Sequence, residues 1–384
     1  TRSKQRLERL QYFSEVNLET PAVPGTSDQV DVNLSVTEKS TGSIMFGAGL
    51  SSAEGIVLGV TVNQNNFLGT GNRVSAQINT GKVNTVYSLS YTDPYYTPDG
   101  ISRTFNVYRR DVDTTSLGTG TYKTSSYGAG VSFGVPLNER DSVSAGITFD
   151  YTDVSLDASS PVQYKQYCGS TEALGCSNYS WMLNLGWAHD TRDNTLFPNE
   201  GVHQRVLAEI GLPGLDLEYY KLEYKHSWYQ PINKYITLML NGELGYGDSY
   251  GSRDYPYFKH FYVGGVNSVR GYDTSAIGPY IAANGTNAGY FEGGTKRAVG
   301  NIEVFFPVPG LKDSSQFRLS AFLDMGDVWK SDQSMNFGDL RYSAGAGVAW
   351  YSPFGPIKLV FAKALNPEAT DRRQMIQFQL GQQF

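Results

Sequence analysis

Long apolar runs are missing from this 384-residue chain. Nowhere do about eighteen apolar residues follow one another, so no helix is built to span a bilayer. Histidine is scarce: His189, His203, His226 and His260 are scattered without ligand spacing, and with only two cysteines a zinc site lacks ligands. Charge is thin as well, at 18% of residues, and a net charge of -6 leaves no basic footprint for nucleic acid. Gly245, Gly247 and Gly251 superficially suggest a phosphate-cradling loop, but they follow a strand and open no helix, so the dinucleotide reading fails its structural test. No catalytic residue, cofactor site or metal site emerges, and the chain does not read as an enzyme.

What is abundant is glycine and aromatic residues, with 42 Gly, 27 Tyr and 19 Phe. Together with a mean hydropathy of -0.35, this conflicts with a helical membrane protein and agrees with a membrane β-barrel. A barrel strand shows only alternate residues to lipid, so its average hydropathy stays low while aromatics collect at the two interfaces.

The chain in order supports an all-β reading. Residues 4–13 place Leu7, Leu10 and Phe13 on one helical face, and strands near 15–19 and 29–38 follow. In the second of these, Val30, Val32, Leu34 and Val36 alternate with polar residues, as in a half-buried strand. A helix and hairpin of this size are not stable alone, so residues 1–39 read as the end of a small α+β module whose start is missing, and the chain as a fragment without its targeting segment. From residue 40 to 384 about sixteen alternating strands recur, the first at 43–50 and the last at 374–384. Short, proline-marked turns alternate with longer, variable loops, as in outer-membrane barrels whose short turns face the periplasm. A propeller or sandwich does not predict that alternation.

Two stretches carry the functional reading. The first is Val269-Arg270-Gly271-Tyr272, inside the longest irregular segment, 248–297. Its aromatic and glycine-rich flanks predict a packed loop, and an arginine in a cavity needs carboxylates because it cannot deprotonate. Strand parity supplies them: with Ile302, Val304, Leu319, Ala321 and Leu323 toward lipid, Glu303 and Asp324 turn into the lumen. The second stretch is the closing seam. Ile376, Phe378, Leu380 and the terminal Phe384 share one parity of the last strand. The first strand carries Ile44 and Phe46, and Gly42, Gly47, Gly49 and Gly381 reduce what the seam can gain from side-chain packing. Cys168 and Cys176 enclose a short polar segment on the long-loop side, which favours a disulfide in an oxidising compartment over two free thiols.

Several segments together resemble the BamA family of outer-membrane barrel assembly factors: Arg6–Phe13, Asp28–Asp31, Asn65–Gly71, Asp93–Tyr96, Phe261–Gly265, Val269–Tyr272, Asp324–Trp329 and Ser352–Pro356. The resemblance implies a transmembrane antiparallel barrel in the bacterial outer membrane, with long loops extracellular, and a periplasmic fragment of the last POTRA domain. It implies an insertase without covalent chemistry, which receives nascent outer-membrane β-barrel proteins at a lateral seam by β-augmentation. The implied partners are those nascent barrels, periplasmic chaperones, accessory assembly lipoproteins, and outer-membrane lipid and lipopolysaccharide. In the family the cysteine pair lies in the arginine-bearing loop, so Cys168 and Cys176 are a departure. The alternatives are a two-partner-secretion translocase of the same superfamily and a passive porin. A porin needs neither the periplasmic module nor the arginine loop.

Overall fold

The computed structural model describes residues 13–25, 29–38, 40–195, 197–283, 289–308, 317–352 and 355–381. Two short strands, β1 (Phe13–Glu19) and β2 (Asn33–Glu38), pair antiparallel as a sheet separate from the rest. Phe13 opens β1, and the remainder of the helix expected over residues 4–13 lies outside the described residues. The half-buried face expected for β2 is exposed: Val30, Val32, Leu34 and Val36 all face open space among the described residues. A two-stranded hairpin has no second layer of its own to cover that face.

Sixteen strands then close an antiparallel barrel. They begin with β3 (Gly42–Ser51), β4 (Gly55–Gln64), β5 (Arg73–Thr80), β6 (Asn84–Asp93), β7 (Ser102–Asp113), β8 (Lys123–Pro136) and β9 (Asp141–Ser155). Next come β10 (Gly175–Asp190), β11 (Gly201–Gly211), β12 (Tyr219–Pro231) and β13 (Thr237–Ser249). The long loop follows and contributes only a two-residue ladder, β14 (Tyr280–Ile281) with β15 (Tyr290–Phe291). The wall resumes with β16 (Lys296–Phe306), β17 (Phe317–Trp329), β18 (Arg341–Ser352), β19 (Gly355–Ala364) and β20 (Ile376–Leu380). The fold class and strand number are those the alternation predicts. Of the last strand expected over 374–384, β20 covers Ile376–Leu380, and residues 382–384, with Phe384, lie outside the described residues.

The barrel is inverted relative to a soluble fold. Outward positions such as Ile78, Leu89, Phe105 and Val107 are exposed, while buried positions such as Asn63, Asp150, Thr152, Ser180 and Asn301 are polar. Pairing on both sides satisfies the backbone groups of the strands inside the wall, which lipid cannot do. Outward aromatics cluster at the long-loop end, where Phe149, Tyr151, Tyr179 and Trp181 lie within 4.9–6.2 Å of their neighbours. At the opposite end Phe317 stacks on Trp350 at 5.2 Å. These are the two interfacial levels where amphipathic rings settle.

The lumen is filled from the long-loop side. Residues 250–283 and 289–295 fold inward, and Phe261, Val263, Val269, Tyr272 and Ile277 form a buried apolar cluster with the wall residues Val299 and Val328. The loop 156–174 carries a short helix, α1 (Val162–Tyr167), which the sequence did not signal. Tyr164 of α1 stacks on Tyr257 of the long loop at 3.8 Å, and the Cys168–Cys176 disulfide closes the segment directly behind the helix.

Candidate functional site: an arginine clamp and a short seam

Arg270 sits in the lumen between β16 and β17. Its side chain is 3% exposed, and those of Glu303 and Asp324 are 7% and 0% exposed. Nε and Nη2 donate to the two oxygens of Asp324, each at 2.7 Å, and Nη1 donates to both oxygens of Glu303 at 3.0 Å. The backbone N–H of Arg270 also donates to Asp324, at 3.0 Å. Parity explains why two carboxylates converge: Asn301 and Asp324 are cross-strand partners, and Glu303 stands two residues further along the same inward face. Burial works against the charge of Arg270, and the Asp324 hydrogen bonds and the Glu303 field outweigh it, raising its hold on the proton. Such planar two-pronged pairing is available to arginine and not to lysine.

The neighbouring motif residues each have a structural task. Gly271 has φ +88°, and a Cβ there would lie 3.1 Å from the Cβ of Ala362, so the turn admits only glycine without strain. Val269 fills space left by Gly326, whose own Cβ would fall 2.8 Å from a Val269 methyl. The hydroxyl of Tyr272 donates to the carbonyl of Tyr342 at 3.2 Å.

Sequence reasoning missed several partners. Phe322 lies under the Arg270 guanidinium at 3.4 Å, and Asn301 Nδ2 donates to Asp324 and to the carbonyl of Ser268, both at 2.8 Å. The most consequential is Gln377, on β20 and fully buried. Its Nε2 donates to the Tyr272 carbonyl at 2.7 Å, and its Oε1 accepts from the N–H of Gly271 at 3.3 Å. Just before β20, the N–H of Gln374 donates to the carbonyl of Gly271 at 3.0 Å. The arginine loop is thus bonded to the segment that closes the barrel. The inward parity of Gln377 was the available signal, although parity alone names no partner.

Among the described residues the seam between β20 and β3 pairs only Gln379 with Ser51 and Leu380 with Leu50, against fifteen pairs between β9 and β10. Ser52 adds a hydrogen bond from its N–H to the carbonyl of Phe378 at 3.2 Å. Gly42, Ile44, Phe46, Gly47 and Gly49 pair with β4 but, among the described residues, not with β20. Phe46 is 81% exposed. Ile376 and Phe378 face outward and pair with β19. Two glycines meet where the strands cross: a Cβ on Gly49 would lie 2.7 Å from the Leu380 carbonyl, and one on Gly381, at φ +88°, 2.7 Å from the Ala48 carbonyl. Side chains at either position would push the strands apart. An unpaired strand edge of this kind is a template for another strand.

The Omp85 superfamily domain matches residues 66–384. The chain is 37% identical to the outer membrane protein assembly factor BamA of Neisseria meningitidis, over all of this chain and 52% of that protein. It is 28% identical to BamA of Nitratidesulfovibrio vulgaris, over all of this chain and 47% of that one. The chain therefore spans about half the length of the curated relatives it matches. Among solved structures, BamA from Haemophilus ducreyi lacking POTRA domains 1–3 is similar at a TM-score of 0.89 and 28% identity, over 99% of this chain and 77% of that one. CdiB from Acinetobacter baumannii, at a TM-score of 0.61 and 14% identity over 99% and 67%, shares the fold alone.

Proposed function

The chain belongs to the Omp85 superfamily and is an outer-membrane β-barrel; on that premise we propose that it is the barrel portion of an outer-membrane protein insertase. Nascent β-barrel proteins add their strands to the free edge of β3, and the weakly held β20 yields to let them leave sideways into the bilayer. The observation that carries this reading is the seam itself: among the described residues it is two residue pairs long and the rest of the β3 edge is unpaired. An edge so exposed is a liability in a passive pore and an asset in a template. Arg270, Glu303 and Asp324 hold the loop that Gln377 ties to β20, so the clamp is placed to sense or set the state of the seam. Residues 1–39 are the end of a periplasmic POTRA domain, and chaperones and assembly lipoproteins act from that side. The relation to assembly factors extends over the whole chain at 37% identity, whereas the relation to the CdiB structure is one of fold, and this favours insertion over secretion.

The test is reconstitution of the full-length protein with its partner lipoproteins in liposomes, with an unfolded barrel substrate delivered by a periplasmic chaperone. Insertion that outpaces protein-free vesicles supports the reading. Substrate released into the vesicle lumen instead identifies a translocase, and no acceleration overturns the proposal.

A further inference from the structure

The long loop has a second attachment to the wall, built from residues that take no part in the Arg270 clamp. Lys259, in the turn that follows Pro256, donates from Nζ to Glu209 Oε1 on β11 at 2.8 Å. The same carboxylate accepts from the hydroxyl of Tyr219 on β12. Lys221, also on β12, donates to the carbonyl of Lys259 at 3.2 Å, and the Tyr255 hydroxyl donates to that carbonyl at 3.3 Å. Beside this polar cluster lie two slots. A Cβ on Gly245 would lie 2.7 Å from the ring of Phe261, and one on Gly247 would lie 2.6 Å from the hydroxyl of Tyr255. Two of the three glycines that look like a nucleotide motif in the sequence, Gly245 and Gly247, are therefore the sockets into which the descending limb of the loop sets its aromatic rings. Lys221 and Arg297 flank the Phe261 ring at 4.3 and 5.1 Å, adding cation–π contact. Burial disfavours the Lys259 charge, yet the Glu209 field and hydrogen bond outweigh it and hold its proton well above the ordinary range.

We propose that Lys259 and Glu209, with the sockets at Gly245 and Gly247, form a fixed pivot that keeps the loop seated in the lumen when its seam-side clamp at Arg270 lets go. The two attachments differ in what they touch. The Arg270 set engages β16 and β17, and its motif is bonded to β20 through Gln377. The Lys259 set engages β11, β12 and β13, which have no ladder with β20 or β3. Motion of the seam thus reaches the Arg270 end of the loop through hydrogen bonds, and the Lys259 end only through the apolar packing of Phe261 against Val269 and Tyr272. The loop swings about the pivot and the lumen stays sealed. This inference rests on the insertase reading only in assuming that the seam moves.

The experiment is single-channel recording of the full-length protein in planar bilayers, with barrel folding verified by heat-modifiable gel mobility. Arg270→Ala alone gives brief openings. Arg270→Ala combined with Glu209→Gln, or with Gly247→Val, which fills a socket without altering charge, increases the open time at least about tenfold, equivalent to ~1.4 kcal/mol. In the Arg270→Ala background the exchanged pair Glu209→Lys with Lys259→Glu returns the open time toward that of Arg270→Ala alone. The pivot is refuted if neither double variant opens more than Arg270→Ala does, or if the exchanged pair stays as open as Glu209→Gln. Conductance needs no substrate, so loss of the insertase reading would leave this result standing.

Discussion

Replacing Arg270 by alanine removes four side-chain hydrogen bonds at once, two to each carboxylate. The two acids do not suffer equally. Asp324 keeps the N–H of residue 270 at 3.0 Å and Asn301 at 2.8 Å, whereas Glu303 loses the guanidinium that both of its oxygens accept from and is left with a Ser320 hydroxyl and the charge of Lys358. Breaking a buried pair by deleting one partner costs about 3–5 kcal/mol, because the other charge is left stranded. At ~1.4 kcal/mol per factor of ten, that is a roughly 100- to 4,000-fold shift toward the released loop. Hydrogen exchange of the amides between Val266 and Ile277 reads the shift directly, as a matching loss of protection. Because the penalty concentrates on Glu303, adding Glu303→Gln to Arg270→Ala recovers roughly tenfold of the lost protection, while Arg270→Lys recovers only part because one ammonium cannot reproduce the fork. Unchanged protection in Arg270→Ala, or no recovery with Glu303→Gln, refutes the reasoning.

Gln377→Ala takes the Gln377 acceptor from the buried Gly271 N–H and leaves the Tyr272 carbonyl to the Gly265 N–H at 3.1 Å, which costs about 1–3 kcal/mol locally, so exchange at Gly271 and in β20 rises together; a rise at only one of them separates loop from seam. Gly381→Ala introduces both a φ penalty of about 1–2 kcal/mol and a clash with the Ala48 carbonyl. It should therefore lower the yield of a cysteine bridge placed between residues 50 and 380, and an undiminished yield contradicts it. Mass spectrometry of non-reduced peptides should recover Cys168 joined to Cys176. Replacing both by serine should loosen α1 by about 2–3 kcal/mol while leaving barrel melting nearly unchanged; a large fall in melting temperature contradicts the local role.

The sequence made the barrel legible because lipid imposes a simple local rule. Alternation along Gly42–Leu50 or Ile302–Phe306 marks a half-exposed strand whatever its neighbours are, and the pattern of short turns and long loops orients it. The same parity turned Glu303 and Asp324 inward ahead of any structure. Pairing across the lumen obeys no such rule. Nothing local says that Gln377 receives Tyr272, that Gly245 and Gly247 are sockets for Phe261 and Tyr255, or that Lys259 meets Glu209 from fifty positions away. The extent of the seam was equally hidden, since strand lengths do not give register. Its glycines were visible; that Gly49 and Gly381 mark the crossing point, while Gly42 and Gly47 lie along an edge with no β20 partner among the described residues, was not.

If substrates leave through the junction of β3 and β20, a reversible seal across that junction stops insertion. Leu50 and Leu380 are direct cross-strand partners, so Leu50→Cys with Leu380→Cys places two thiols across the seam. Val107→Cys with Ala129→Cys, partners inside the wall, provides a control bridge. Insertion of a barrel substrate is followed in proteoliposomes before and after oxidation and again after reduction, with the parent protein treated in parallel because Cys168–Cys176 is also reduced. The account predicts that the seam bridge stops insertion, that reduction restores it, and that the control bridge leaves it intact. Insertion at the parent rate through a fully bridged seam would contradict it.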